Sequence, residues 1–187
     1  MGWVDLVPRA GKLYIGGLYA LYQTDLIKAA GITHVLSVID YDPLLQEKFH
    51  HLKHHHIRAE DDPNEDLLQH FRATNEYIDE GLKNGGGVFI HCAMGKSRSA
   101  TMAVAYLMWK YGMTWQEALE QVCEGRPVCD PNVGFKEQLS VYQDMLKEAK
   151  DDADADADAM YRNWLRERFR GEWWEWDKRV TRSKAKL

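Results

Sequence analysis

Residues 91–100, HCAMGKSRSA, hold an imidazole, a thiol, an ammonium, a guanidinium and two hydroxyls within ten positions. Three chemistries use pieces of this stretch. Gly95-Lys96-Ser97 resembles the end of an ATP-binding loop, but such a loop needs another glycine five positions before Gly95, and Ile90 stands there. His91-Cys92 could bind a metal, but these residues are adjacent, and Cys123 and Cys129 are not spaced as a ligand pair. HHLKHHH (50–56) is a denser imidazole cluster. In a strand its neighbours point to opposite faces, and no cysteine or carboxylate is interleaved, so a polar surface strand is expected there.

The third chemistry uses most of the letters. Cys92 follows an apolar run and Arg98 begins another, so residues 93–98 form a turn from a strand into a helix. The backbone N–H groups of Ala93, Met94, Gly95, Lys96, Ser97 and Arg98 can then converge on an anion at a helix N-terminus. That field favours the Cys92 thiolate, a nucleophile for phosphorus. Arg98 can grip two phosphate oxygens with its planar fork. Gly95 allows tight curvature. Ser99 can donate a hydrogen bond to the sulfur, and His91 can hold the loop backbone. No metal or other cofactor is required.

HCAMGKSRS resembles the cysteine-dependent dual-specificity phosphatases in the form His-Cys-x-x-Gly-x-Ser-Arg-Ser. LYIGGLYAL (13–21), GITHVLSV (31–38) and RPVCDPNVGFKEQL (126–139) extend the likeness over roughly 12–147. The resemblance implies a protein phosphatase acting through phosphocysteine, with a shallow cleft that takes phosphotyrosine and phosphoserine or phosphothreonine in phosphoproteins. It also implies an aspartate general acid on a loop about thirty residues before the cysteine. The candidates are Glu60, Asp61, Asp62, Glu65 and Asp66; in the family this aspartate lies about ten residues before an aromatic on the following helix, so with Phe71 in that place the resemblance implies Asp61, with Asp62 the alternative, while Asp66 suits a helix N-cap. Lys96 resembles a lysine of lipid-type phosphatases, which keeps a phosphoinositide substrate open, although Ala93 stands where a second basic residue is expected. Within the family, LYIGG, PNVGF and AMYRNWL resemble fungal members that take part in large ribosomal subunit assembly and carry a C-terminal zinc-binding domain. The 187 residues contain no Cys-x-x-Cys array, so functions that depend on such a domain are not carried over.

The elements that must position these residues alternate. Strands are expected at KLYIGGL, at 35–39, around 55–57 and at GVFIH. Helices are expected from Thr24 or Asp25 to near Gly31, from Glu65 to Gly85, over 98–111, from a Thr114–Glu117 capping box to Gly125, and over 131–150. This is an α/β pattern with a mainly parallel sheet flanked by helices, and residues 1–150 form the catalytic domain. DDADADADA (151–159) reads as an acidic solvated linker or weak helix. Residues 160–187 are net +5 against −10 for the rest, and Tyr161, Leu165, Phe169, Trp173, Trp176 and Val180 form one helical face interrupted by Gly171. That face either packs on the domain or binds a partner, such as a pre-ribosomal component.

Composition excludes other classes. Hydrophobic residues make up 45% and charged residues 28%, with a net charge of −5. This is ordinary for a globular domain, and direct nucleic-acid binding by the catalytic domain is not expected. No apolar run reaches membrane-spanning length. MGWVDLVPRA lacks a signal pattern, and Leu6 stands where a myristoylation motif needs Ser or Thr. Three unpaired cysteines fit reduced thiols in the cytoplasm or nucleus. A protective disulfide between Cys92 and Cys123 or Cys129 is a minor expectation.

Overall fold

The computed structural model describes residues 2–41, 44–148 and 154–184. The chain runs β1 (Asp5–Leu6), β2 (Leu13–Gly17), α1 (Thr24–Ala29), β3 (Ile32–Val38), α2 (Leu45–Lys48), β4 (Lys53–Ile57), α3 (Phe71–Lys83), β5 (Gly87–Cys92), α4 (Arg98–Tyr111), α5 (Trp115–Gly125), α6 (Val133–Glu148), α7 (Asp154–Glu167) and α8 (Trp173–Lys184). The five strands are ordered β1-β2-β5-β3-β4. All pairs are parallel except β1 with β2.

The central strand β5 is buried along its length, as its apolar sequence requires of a strand covered on both faces. Val88 and Ile90 face the larger core, with Leu13, Ile15, Leu36 and Val38 of the neighbouring strands and residues of α3, α4, α5 and α6. Phe89 faces the opposite side, with Val35, Ile27, Leu45 and Phe49 around α1 and α2. The period-two alternation of β5 therefore divides two cores and delivers Cys92 at the carboxyl end of the middle strand. Open parallel sheets form their crevices at such ends.

Helix α4 is buried from Arg98 to Met108 because α3, α5 and α6 surround it. Gly112 stops it in a left-handed conformation, φ 67°. The Thr114–Glu117 capping box forms as expected at the start of α5. Two helix N-caps differ from expectation. Gln23, not Thr24 or Asp25, precedes α1 and makes no side-chain cap. Asp66 does not cap α3, which starts at Phe71; its Oδ1 instead accepts from the Gln69 N–H (3.3 Å) in a preceding 3-10 turn, Leu68–His70. Strand β4 has the polar character expected of HHLKHHH: the ring nitrogens of His54 and His56 donate to the carbonyls of Phe49 and Ile39, each at 3.0 Å.

Residues 154–159 of the acidic stretch form the first turns of α7, where alanines favour the helix and aspartates suit its N-terminus. Residues 151–153 lie outside the described residues. The aromatic stripe of the tail is not one face. The break between α7 and α8 resets the helical phase, so Tyr161 and Trp176 turn toward the domain, Phe169 packs on Trp176, and Leu165 and Trp173 are exposed. The side chain of Val180 lies outside the described residues. No helix among the described residues is long and apolar enough to cross a membrane.

Candidate active site

Cys92 ends β5 with its sulfur at the N-terminus of α4. The Gly95 N–H donates to Sγ at 3.2 Å, and Ser99 Oγ lies 3.3 Å from it. The thiol is almost fully buried, which by itself raises its pKa. The Ser99 hydroxyl, the Ser99 and Lys96 N–H groups and the positive charge of Arg98 outweigh burial, so its pKa lies below that of an ordinary thiol.

The loop curls because Gly95 adopts φ 67°, and a Cβ there would collide with the Gly16 carbonyl of β2. The Leu18 N–H donates to the Ala93 carbonyl at 3.2 Å. The next carbonyls are tied outward by a residue that sequence reasoning missed. Buried Arg126 donates from Nε to the Gly95 carbonyl (2.7 Å) and from Nη2 to that of Met94 (3.0 Å). Its Nη1 pairs with Asp5 at 2.6 Å. With their carbonyls held on the outside, these peptides present N–H groups to the inside. RPVC was legible as part of the family likeness, but nothing local in it says which way the guanidinium points.

Arg98 opens α4, and its Nη1 donates to the Ala59 carbonyl (2.9 Å) and to Asp40 Oδ1 (3.2 Å). Its Nε is buried and has no acceptor among the described residues. His91 is buried and stacked on Phe89, with centroids 5.8 Å apart. Its Nδ1 lies 3.3 Å from the Cys92 carbonyl and its Nε2 lies 2.7 Å from Ser37 Oγ. A carbonyl only accepts, so Nδ1 carries the proton and Nε2 accepts from the serine hydroxyl. Burial holds the His91 pKa down to about 4, so the imidazole is neutral.

The acidic loop lies across the phosphate loop. Asp61 Oδ1 accepts from Ser97 Oγ (2.6 Å) and from Asn132 Nδ2 (3.0 Å). The Asn132 side chain also accepts the Phe135 N–H at the start of α6, and the backbone N–H of Asn132 donates to Ser97 Oγ at 3.0 Å. Asp62 has a different use: its Oδ1 accepts the Asn64 N–H at 2.7 Å in a local turn. Of the two candidates, Asp61 is thus brought to the loop that carries Cys92. Lys96 and Met94 project from the rim, Met94 with 76% of its surface exposed.

The three cysteines are free thiols. Burial pushes Cys129 up to about 12 and also raises Cys123. Among the described residues, no group of His, Cys, Asp or Glu is arranged to hold a metal ion.

Residues 13–145 match the family described as "Dual specificity phosphatase, catalytic domain". The chain is 35% identical to dual specificity protein phosphatase 22-B of Danio rerio over 84% of its own length and 79% of that protein. It is 37% identical over 78% of its length to MAP kinase phosphatase with leucine-rich repeats protein 2 of Dictyostelium discoideum, but spans only 21% of that larger protein. Among solved structures, the Yvh1 phosphatase domain of Chaetomium thermophilum superposes with a TM-score of 0.70 at 38% identity, covering 76% of this chain and 96% of that one.

Proposed function

This chain belongs to the dual specificity phosphatase family, and from that premise we propose that it hydrolyses phosphate esters of tyrosine and of serine or threonine in phosphoproteins. The observation that carries this reading is the Cys92 sulfur, held by N–H and hydroxyl donors at a helix N-terminus between Arg98 and the Asp61 loop. The thiolate attacks phosphorus, forming an S–P bond as the ester P–O bond breaks. Arg98, through its unpartnered Nε edge, and the inward N–H groups of residues 93–98 hold the phosphoryl oxygens as charge redistributes. Asp61 gives its proton to the departing oxygen. The Asp61 carboxylate then takes a proton from water, whose oxygen attacks phosphorus. The S–P electron pair returns to Cys92, and Ser99 stabilises the sulfur as it leaves. His91 keeps the loop backbone in place.

An aryl phosphatase assay on the wild type, Cys92→Ser and Asp61→Ala tests the reading. Vanadate-sensitive turnover that disappears in Cys92→Ser and slows in Asp61→Ala is expected; full activity in Cys92→Ser overturns it. The exposed Lys96 at the rim favours a second reading, a phosphoinositide substrate, which under that reading outpaces phosphopeptides when phosphate release from the two is compared.

The likeness of AMYRNWL to the ribosome-assembly members supports a narrower setting: a phosphatase of the cytoplasm or nucleus whose C-terminal extension, 160–187, engages a pre-ribosomal partner. In that setting the partner stays bound to Cys92→Ser and is lost when 160–187 is deleted.

A further inference from the structure

The loop carrying Asp61 is pinned at two ends by different parts of the chain. At one end Asp61 is held by Ser97 and Asn132. At the other, the three hydrogen bonds of the Asn64 side-chain amide all go to the C-terminal extension. Its Nδ2 donates to the Gly171 carbonyl (2.9 Å), and its Oδ1 accepts from the Gly171 N–H (3.1 Å) and from Trp176 Nε1 (3.2 Å). The amide thus pairs with Gly171 in both directions, as one backbone peptide pairs with another.

The extension is itself anchored. Trp176 is only 3% exposed and packs edge-on against Phe169, with centroids 4.9 Å apart. Arg179 lies over both rings and pairs with Glu137 of α6 at 3.3 Å. Tyr161 of α7 donates to Asp66 Oδ2 at 2.8 Å, on the far side of the same loop. Between the two ends little freedom remains. Pro63 packs so closely on α6 that a Cβ at Gly134 would collide with its carbonyl, and Gln138 Nε2 donates to the Glu65 carbonyl at 2.7 Å.

We propose that residues 160–184 are a positioning element for the general acid: Asn64 transmits the place of the α7–α8 break to Asp61, three residues earlier. The extension touches neither Cys92 nor Arg98 in any of these contacts. Its effect therefore falls on proton delivery and not on thiolate formation. This inference rests on Asp61 being the acid.

The test compares phenyl phosphate, whose leaving oxygen needs a proton, with 4-nitrophenyl phosphate, whose more acidic phenol leaves with less help. Asn64→Ala is expected to lower kcat/KM, which reports the steps up to departure of the phenol and not the phosphocysteine hydrolysis shared by both esters, roughly tenfold for phenyl phosphate and less than about twofold for the nitrophenyl ester, because a displaced acid loses part of its catalytic factor. The basic limb of its pH profile on phenyl phosphate flattens as well. Trp176→Phe keeps a ring to pack on Phe169 and removes only the N–H donor, so it folds and shows the same selectivity to a smaller degree. Asp61→Asn is the reference. If Asp61→Asn is selective between the two esters in kcat/KM while Asn64→Ala and Trp176→Phe lower kcat/KM for both equally, or for neither, the positioning role is overturned. If Asp61→Asn itself is not selective, the assignment of the acid fails and the positioning role falls with it.

Discussion

The Ser99 hydroxyl lies 3.3 Å from the Cys92 sulfur, across the first turn of α4. It is the largest influence opposing burial, which alone would keep the thiol protonated. A hydrogen bond to a charged group contributes about 1.5–3 kcal/mol, enough to decide the protonation state of a buried thiol.

Ser99→Ala is therefore expected to move the midpoint of Cys92 alkylation by iodoacetate to higher pH. It also slows breakdown of phosphocysteine, where the sulfur must leave with the electron pair. A pH series of alkylation rates and a rapid-quench measurement of the phosphoenzyme check the two effects separately. An unmoved midpoint would show that the N–H groups and Arg98 suffice.

Arg98→Lys retains the charge and loses the fork. One edge of the guanidinium is occupied by Ala59 and Asp40, and Nε is left for substrate. A lysine is a point charge that cannot serve both. Turnover is expected to fall roughly 100-fold, the usual order for losing an oxyanion donor, with a parallel loss of vanadate affinity in competition assays.

What the sequence revealed of this site follows from distance along the chain. Cys92, Gly95, Arg98 and Ser99 sit within one strand-to-helix turn, so their geometry is local and their spacing announces it. The parallel sheet and the buried α4 follow from periodicity in the same way. Asp61 needed the family likeness, because nothing nearby separates it from Asp62; the separation comes from Ser97 and Asn132, which only the fold brings near. Arg126 was not legible: it acts 31 residues from Gly95 and pairs with Asp5 in a two-residue strand too short to leave a pattern. The tail misled because a helical wheel assumes one phase, and the chain breaks it at 168–172.

Arg126 binds Asp5 with both side chains nearly buried, and holds the Met94 and Gly95 carbonyls. Arg126→Ala leaves Asp5 buried without its partner and frees the loop. A loss of about 3–5 kcal/mol is expected, the usual cost of breaking a buried ion pair from one side. Urea unfolding measures it. The double variant with Asp5→Asn recovers part of that stability without restoring turnover, since the loop carbonyls remain untied.

Gly95→Ala tests the curl directly. The residue is left-handed, and its added methyl would meet the Gly16 backbone of β2, which has no rotamer to adjust. Left-handed strain contributes roughly 1–2 kcal/mol, and the clash forces the loop away from the strand beneath it. Aryl phosphatase activity is expected to vanish while circular dichroism retains the fold. Near-normal activity would mean that loop and strand can separate without moving the Cys92 donors.

His91 makes stability depend on pH in a definite direction. Its pKa is held to about 4 by burial, against about 6.5 in the unfolded chain. Between these values the unfolded chain binds the proton and the folded one does not, so stability rises with pH across this window and levels off above it. Conversely, stabilisation is complete above the unfolded value and is lost as pH falls toward 4, by roughly 3 kcal/mol for the full interval. His34, His55 and His70 are also lowered by burial and add slope of the same sign. Chemical denaturation at intervals from pH 4 to 7 should therefore show a slope that decreases, but does not disappear, in His91→Asn. That variant gives up the Ser37 contact of Nε2 and is less stable throughout at neutral pH. An unchanged slope would mean that the His91 imidazole takes up its proton inside the fold, and the loop would then have to tolerate a charge directly behind Cys92.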